Sequence, residues 1–178
     1  MIYSKIKKIK AVLFDVDGVL TDGKIIYSKS GDELKHFNVQ DGLGITMLRL
    51  GGIKAGIITG RKSELIKRRA DELKMDFLSM GHFSKLEPLD EFMLKFSMTL
   101  EEIAYMGDDI LDLSILSRCG FAVGPANVVE EVKPHLDYVC HQEGGMGAVR
   151  ELIDLILKTQ NKYQPIFDQL AQLQEIGD

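Results

Sequence analysis

The chain holds only two cysteines and four histidines in 178 residues, and no apolar run approaches the roughly 20 residues that a bilayer span requires. Cys119 and Cys140 lack the close spacing of a zinc or redox pair. They read as buried thiols rather than a disulfide, which fits a reducing cytoplasm. His36, His82, His135 and His141 are scattered, so no His/Cys cluster is available to a soft metal. A net charge of −5 and the lack of a long basic run argue against nucleic-acid binding. The small cluster Lys5, Lys7, Lys8 and Lys10 would suit the start of a secretory signal, but Asp15 and Asp17 soon interrupt the apolar stretch behind it. Internal repeats and low-complexity tracts are missing as well. What remains is an ordinary soluble composition, 45% hydrophobic and 28% charged, long enough for one domain with a sizeable core.

Strand-like runs at 10–14, 54–58, 103–106, 121–123 and 138–140 alternate with helical periodicity at 43–50, 63–73, 86–96, 110–117 and 149–157. Thr99 with Glu102 suits a capping box before the 103–106 run. This alternation implies an α/β fold of Rossmann type, a parallel sheet with helices on both faces. One segment departs from it. Residues 24–27 and 33–38 alternate like strands around Ser28-Lys29-Ser30-Gly31-Asp32, which reads as an inserted β-hairpin at about 24–38. Its exposed edges need cover, and another subunit is one way to supply it. Residues 1–158 thus form one domain, and 159–178 a tail. The tail's apolar residues Ile166, Phe167, Leu170, Leu173 and Ile176 fit an amphipathic helix docking on the body or on a neighbour, and a frayed terminus equally well.

Four polar clusters fall at or just after the ends of apolar runs. Asp15-Val16-Asp17-Gly18 follows Ala11-Val12-Leu13-Phe14, Thr59-Gly60-Arg61 follows 54–58, Lys85 follows Phe77-Leu78, and Gly107-Asp108-Asp109 with Asp112 follows 103–106. In open α/β sheets that edge is where ligands bind. Alternate residues of an extended strand point the same way, so Asp15 and Asp17 can share one site. Taken singly, each cluster has an ordinary explanation: an acidic turn, a helix start, a solvated lysine, a helix cap. Together they suit phosphoryl transfer. A carboxylate can attack phosphorus and form an aspartyl-phosphate. Mg²⁺ held by carboxylates neutralises the approach of a phosphate dianion. Thr59 offers a hydroxyl, Gly60 an accessible backbone N–H, and Lys85 a positive charge. Asp17 can protonate the leaving alcohol and later deprotonate water.

These motifs resemble the haloacid dehalogenase superfamily of aspartate-nucleophile phosphatases. Within it, the chain is similar to the cap-less family acting on 3-deoxy-D-manno-octulosonate 8-phosphate. That resemblance rests on Phe14-Asp15-Val16-Asp17-Gly18-Val19-Leu20-Thr21-Asp22-Gly23, Phe37-Asn38-Val39-Gln40-Asp41-Gly42, Ile57-Ile58-Thr59-Gly60-Arg61, Gly107-Asp108-Asp109 and Gly144-Gly145-Met146-Gly147-Ala148-Val149-Arg150-Glu151, and covers roughly residues 8–157. It implies Asp15 as nucleophile and Mg²⁺ ligand, Asp17 as acid/base and ligand through its backbone carbonyl, and Asp108 as third ligand. Asp109 and Asp112 would support them. Thr59, Gly60 and Lys85 would hold the phosphoryl group, while Asn38, Val39, Gln40, Asp41, Gly42, Arg61 and Arg69 match substrate-contacting positions. It also implies a homotetramer built through the hairpin, with neighbouring subunits closing each site. Two residues depart from the pattern: Met146 stands where many relatives carry arginine, and Thr46 where a basic residue is common. Arg61 occupies a position where relatives acting on nine-carbon analogues tend to carry glutamate, and it suits an octulosonate carboxylate. Two alternatives remain open: phosphatase action on a nonulosonate 9-phosphate or another small sugar phosphate, and a receiver-like phospho-signalling module.

Overall fold

The computed structural model describes residues 2–29 and 33–175. Ser30, Gly31 and Asp32 at the expected hairpin tip, with Ile176 and the Leu173 side chain of the tail, lie outside the described set. A short helix α1 (Ile2–Ile6) leads into β1 (Ala11–Phe14), then β2 (Ile26–Tyr27), β3 (Glu33–Leu34), α2 (Val39–Leu50), β4 (Lys54–Thr59), α3 (Glu64–Glu72), β5 (Phe77–Met80) and α4 (Leu86–Phe96). There follow β6 (Ile103–Met106), α5 (Leu113–Leu116), β7 (Phe121–Gly124), β8 (Tyr138–Val139), α6 (Ala148–Thr159) and α7 (Tyr163–Glu175).

Six strands form a parallel sheet in the order β5-β4-β1-β6-β7-β8. Strands β1, β6 and β7 are buried along their whole length, as expected where helices cover both faces. Val12, Phe14, Ala55, Ile57, Ala104 and Met106 pack on one side with residues of α2, α3 and α6. Ala11, Leu13, Ile58, Ile103 and Tyr105 pack on the other with α4 and α5. From β1 the chain moves outward to β4 and β5, then returns to β6 on β1's opposite flank. The strand order therefore reverses at β1, and the crevice beyond its C-terminal end is the expected ligand position.

Several elements differ from the sequence expectation. The strand β5 was represented only by its Phe77-Leu78 start; it is an edge strand buried at alternate residues. The expected helix at 110–117 divides into a 3₁₀ turn (Ile110–Asp112) and a single α-turn, because Asp109 and Asp112 form a capping box there. The Thr99/Glu102 box forms as expected, on a 3₁₀ turn ahead of β6. The hairpin pairs Ile26 with Leu34 and Tyr27 with Glu33, and is pinned at its base by a bridge between Thr21 and Phe37. Asn38 does not extend it: its side chain accepts from the Gln40 N–H and starts α2 four residues earlier than the apolar periodicity indicates. The tail is helical and docks on the body, with Ile166 buried in the main core and Leu170 packed against it, whereas Phe167 faces outward. Both cysteines are free; Cys140 is buried and Cys119 half-buried.

Candidate active site

Strand β1 ends at Phe14, and the Asp15 N–H still donates to the Met106 carbonyl of β6 at 3.0 Å. The Val16 carbonyl accepts from the N–H groups of Val19, Leu20 and Thr21, so residues 16–21 form a tight turn above the sheet. Asp15 and Asp17 stand at the entry to that turn, two residues apart. Asp15 Oδ1 accepts from the Val16 N–H at 2.7 Å and its Oδ2 lies 2.8 Å from Lys85 Nζ. Asp17 Oδ1 lies 2.5 Å from Lys35 Nζ, a contact made from the hairpin. The Arg61 Nε is 3.8 Å from Asp17 Oδ2.

Across the crevice, Asp112 organises the loop after β6. Its Oδ2 accepts from the N–H groups of Asp108 and Asp109 at 3.0 and 3.2 Å. Its Oδ1 accepts from Lys85 Nζ and from the Tyr105 hydroxyl, both at 2.6 Å. Lys85 is 2% exposed, and its third contact is the Tyr105 oxygen at 3.1 Å. All three ammonium protons thus have a protein partner, fixing the charge between Asp15 and Asp112. Asp15, Asp108 and Asp112 each offer an oxygen within 4.8 Å of the others. Two of these oxygens, on Asp15 and Asp108, are candidate cation ligands; the Asp112 carboxylate is already saturated. Gly18 makes the approach possible: at φ +86°, a Cβ there would lie 1.9 Å from Asp108 Oδ2.

Clustered acids raise one another's affinity for protons. The Asp108 carboxyl is pushed up to about 7, by burial first and then by Asp112, Asp15 and Asp109. Burial also lifts Asp15 above the carboxylate range, against the pull of Lys85 and with that of Asp112. For Lys85, burial disfavours the charge, but Asp15 and Asp112 outweigh it and hold the ammonium above its usual range. An all-oxygen donor set with unrelieved negative charge fits a hard divalent cation such as Mg²⁺.

Thr59 is 1% exposed at the end of β4, and its hydroxyl faces the Arg61 N–H at 3.5 Å. Gly60 and His82 are exposed on the same rim, and a Cβ on Gly60 would be 3.7 Å from the His82 carbonyl. The segment Asn38 to Gly42 divides. Val39 and Gln40 are exposed, while Asn38 donates to the Gly145 carbonyl at 3.3 Å. Asp41 is 2% exposed and accepts from the Arg150 N–H at 2.8 Å, so it caps α6 rather than opening into the crevice. Gly42 sits under the Arg69 guanidinium, which also reaches the Asn38 carbonyl at 3.4 Å. Met146 is 55% exposed in the glycine-rich loop, and the Thr46 hydroxyl donates to its own helix's Gly42 carbonyl. That glycine-rich loop is pressed onto the acidic turn: Gly145 N–H donates to the Val19 carbonyl at 2.9 Å, and Asn127 links the Gly18 carbonyl to the Gly144 N–H.

Residues 77–153 match the haloacid dehalogenase-like hydrolases. A 3-deoxy-D-manno-octulosonate 8-phosphate phosphatase, KdsC of Salmonella typhi, is 40% identical over 161 residues, spanning 90% of this chain and 86% of that protein. The chain belongs to the 3-deoxy-D-manno-octulosonate 8-phosphate phosphatase family. The family member of Moraxella catarrhalis, solved with magnesium ion, phosphate ion and KDO, superposes with a TM-score of 0.92 at 43% identity, covering 95% of this chain and 97% of that one. The cobalt-bound phosphatase of Haemophilus influenzae superposes at 0.86 with 39% identity, covering 89% and 92%. Membership in this family displaces the receiver-like alternative. Three residues of the site were missed by sequence reading: Lys35, Tyr105 and Asn127.

Proposed function

We propose that the protein is a Mg²⁺-dependent phosphomonoester hydrolase that converts 3-deoxy-D-manno-octulosonate 8-phosphate to 3-deoxy-D-manno-octulosonate and phosphate, a step toward lipopolysaccharide. The observation that carries this reading is the convergence of Asp15, Asp108 and Lys85 at the point where the strand order reverses. Asp15 is the nucleophile: its oxygen attacks phosphorus as the ester P–O bond breaks, and water later cleaves the aspartyl-phosphate. Asp17 delivers the proton to the departing alkoxide and takes one back from that water. Asp15, Asp108 and the Asp17 backbone carbonyl hold Mg²⁺, which when bound offsets the charge between carboxylate and phosphate. Thr59 and Gly60 hold the phosphoryl oxygens, and Lys85 transfers its Asp15 contact to the phosphoryl group as the Asp15 oxygen bonds to phosphorus. Asn38, Val39, Gln40, Gly42, Arg61 and Arg69 line the approach of the sugar acid, and Asp41 contributes by fixing the start of α6.

Residues 1–158 act as one catalytic domain and 159–178 as its tail, which docks through Ile166 and Leu170. Exposed Ile25, Tyr27 and Leu34 on the hairpin favour burial against neighbouring copies, and we read the assembly as a homotetramer. No helix among the described residues is long and apolar enough to cross a membrane. With the free thiols, this supports a cytoplasmic location.

The decisive measurement is phosphate release from a panel of sugar phosphates, with Mg²⁺ and with chelator. The octulosonate ester should give the highest kcat/KM, and chelation should stop turnover. A nine-carbon 9-phosphate used tenfold better would reassign the substrate, and undiminished turnover in excess chelator would remove the metal.

The acidic cluster also predicts a pH-dependent response to the metal. Asp108 titrates near 7 in the folded protein and at 3.8 without its surroundings. Between those values the metal-free native state keeps a proton that the unfolded chain has lost, so stability falls as pH rises and the full penalty applies above 7. Mg²⁺ cancels that penalty. Thermal melts should therefore show a larger Mg²⁺ stabilisation at pH 8 than at pH 5.5; equal shifts would show that the cluster does not bind the cation.

A further inference from the structure

We infer that Lys35 is a positioning residue for the acid/base step, fixing which oxygen of Asp17 carries the transferable proton. The inference rests on the phosphatase reading above and deepens it. Lys35 follows β3 in the hairpin, where Leu34 and His36 are exposed and Lys35 and Phe37 lie on the inward side. Its side chain is 0% exposed, with Nζ 2.5 Å from Asp17 Oδ1. The placement is held through the backbone as well. Two residues on, Phe37 bridges to Thr21, and the Thr21 hydroxyl donates to the Val16 carbonyl at 3.2 Å, one residue from Asp17. The hairpin and the acidic turn therefore form a closed loop with the Lys35–Asp17 pair as its side-chain closure.

The chemistry follows from what an ammonium can do. A free carboxyl has two equivalent oxygens and a soft terminal torsion, so it can present either one. An ammonium has three donors and no acceptor, so the oxygen it touches must accept. Oδ1 is thereby committed, and the proton Asp17 delivers belongs on Oδ2. That second oxygen is buried and has no hydrogen-bond partner among the described residues, and the nearby Arg61 Nε is 3.8 Å away, beyond hydrogen-bond reach. An unpaired buried oxygen is unfavourable unless something fills the role; the ester oxygen of the substrate does so. In the first half-reaction, Oδ2–H protonates the bridging oxygen while its bond to phosphorus breaks and the Asp15 oxygen bonds to phosphorus. In the second, Oδ2 accepts a proton from the attacking water as the Asp15–phosphorus bond breaks.

Leaving-group dependence tests this, because a sugar alkoxide needs a proton to depart and acetate or 4-nitrophenolate does not. Wild type, Lys35→Met and Lys35→Arg would be compared on 3-deoxy-D-manno-octulosonate 8-phosphate, acetyl phosphate and 4-nitrophenyl phosphate, each with Mg²⁺. General acid catalysis contributes about 10²–10⁴-fold, and disordering the acid removes part of it. Lys35→Met should lower kcat on the sugar phosphate by about 30-fold, with a loss at least about tenfold smaller on the activated phosphates, and Lys35→Arg should recover most of it. Equal losses on all three substrates, or an unchanged sugar-phosphate rate, would overturn the assignment. Circular dichroism checks folding, and Lys35→Gln gives the same comparison should the Met variant not fold. The two readings fail differently: wild type that releases no phosphate from any ester defeats the phosphatase reading, whereas an active wild type with uniform losses defeats only the role of Lys35.

Discussion

Asp15→Asn should reduce turnover of the sugar phosphate by on the order of 10⁴-fold or more while leaving the fold intact. The change is nearly isosteric. The amide oxygen can still accept from the Val16 N–H, which Asp15 engages at 2.7 Å. What disappears is the oxygen that attacks phosphorus, and an amide is a poor substitute for a carboxylate nucleophile. Removing one acid from the cluster relieves repulsion on Asp108 but also takes one carboxylate from Lys85, which keeps Asp112, so circular dichroism should show the variant still folded. A residue that only ligated the metal would behave differently, because raising Mg²⁺ would restore much of the rate. Saturating Mg²⁺ should restore little here. Asp17→Asn provides the contrast, with a loss closer to 10²–10⁴-fold that shrinks on activated phosphates. An Asp15→Asn enzyme within tenfold of wild type would end the proposal of an aspartyl-phosphate.

The parts of the fold that were legible in the sequence are those where local pattern and tertiary role agree. Strand β6 matches its expected span because four consecutive apolar residues are buried on both faces. The edge strand β5 buries only alternate residues over four positions, so its signal is short and weak. Helix α1 is five residues with one buried side chain, which leaves no periodicity to read. Polar clusters at strand ends were visible because the parallel topology sends every such end to one rim. Their internal wiring was not. Tyr105 looks like any core residue of an apolar strand until its hydroxyl is seen to bridge Lys85 and Asp112. Lys35 resembles the solvated lysines that protect sheet edges, and only the hairpin's fold-back buries it. Asp41 reads as part of the substrate segment, yet the packing of α2 on α6 turns it into a cap.

Lys85→Met separates the two tasks of the buried lysine, because its effect on stability should be as large as its effect on rate. The side chain is 2% exposed and faces an Asp112 side chain that is fully buried and an Asp15 side chain only 15% exposed. Removing one partner of a buried ion pair leaves uncompensated charge and costs about 3–5 kcal/mol. For a chain of this size that lowers the midpoint by roughly 10 °C. Mg²⁺ should recover part of the loss, since a cation beside Asp15 relieves one of the two carboxylates, but the deeper Asp112 gains little. Arginine is not a remedy: a guanidinium is larger and would overpack a site closed by Tyr105, at about 1–3 kcal/mol. The informative partner is therefore Asp112→Asn. In Lys85→Met/Asp112→Asn the deeper buried charge is removed along with its counter-ion and Mg²⁺ covers Asp15, so denaturant melts in Mg²⁺ should show most of the stability restored. Activity should not return, because the metal and Arg61 then act without the buried lysine charge between Asp15 and the phosphoryl oxygens. If the double variant recovered turnover together with stability, Lys85 would be a structural counter-ion alone, and the charge needed at phosphorus would have to come entirely from the metal and Arg61.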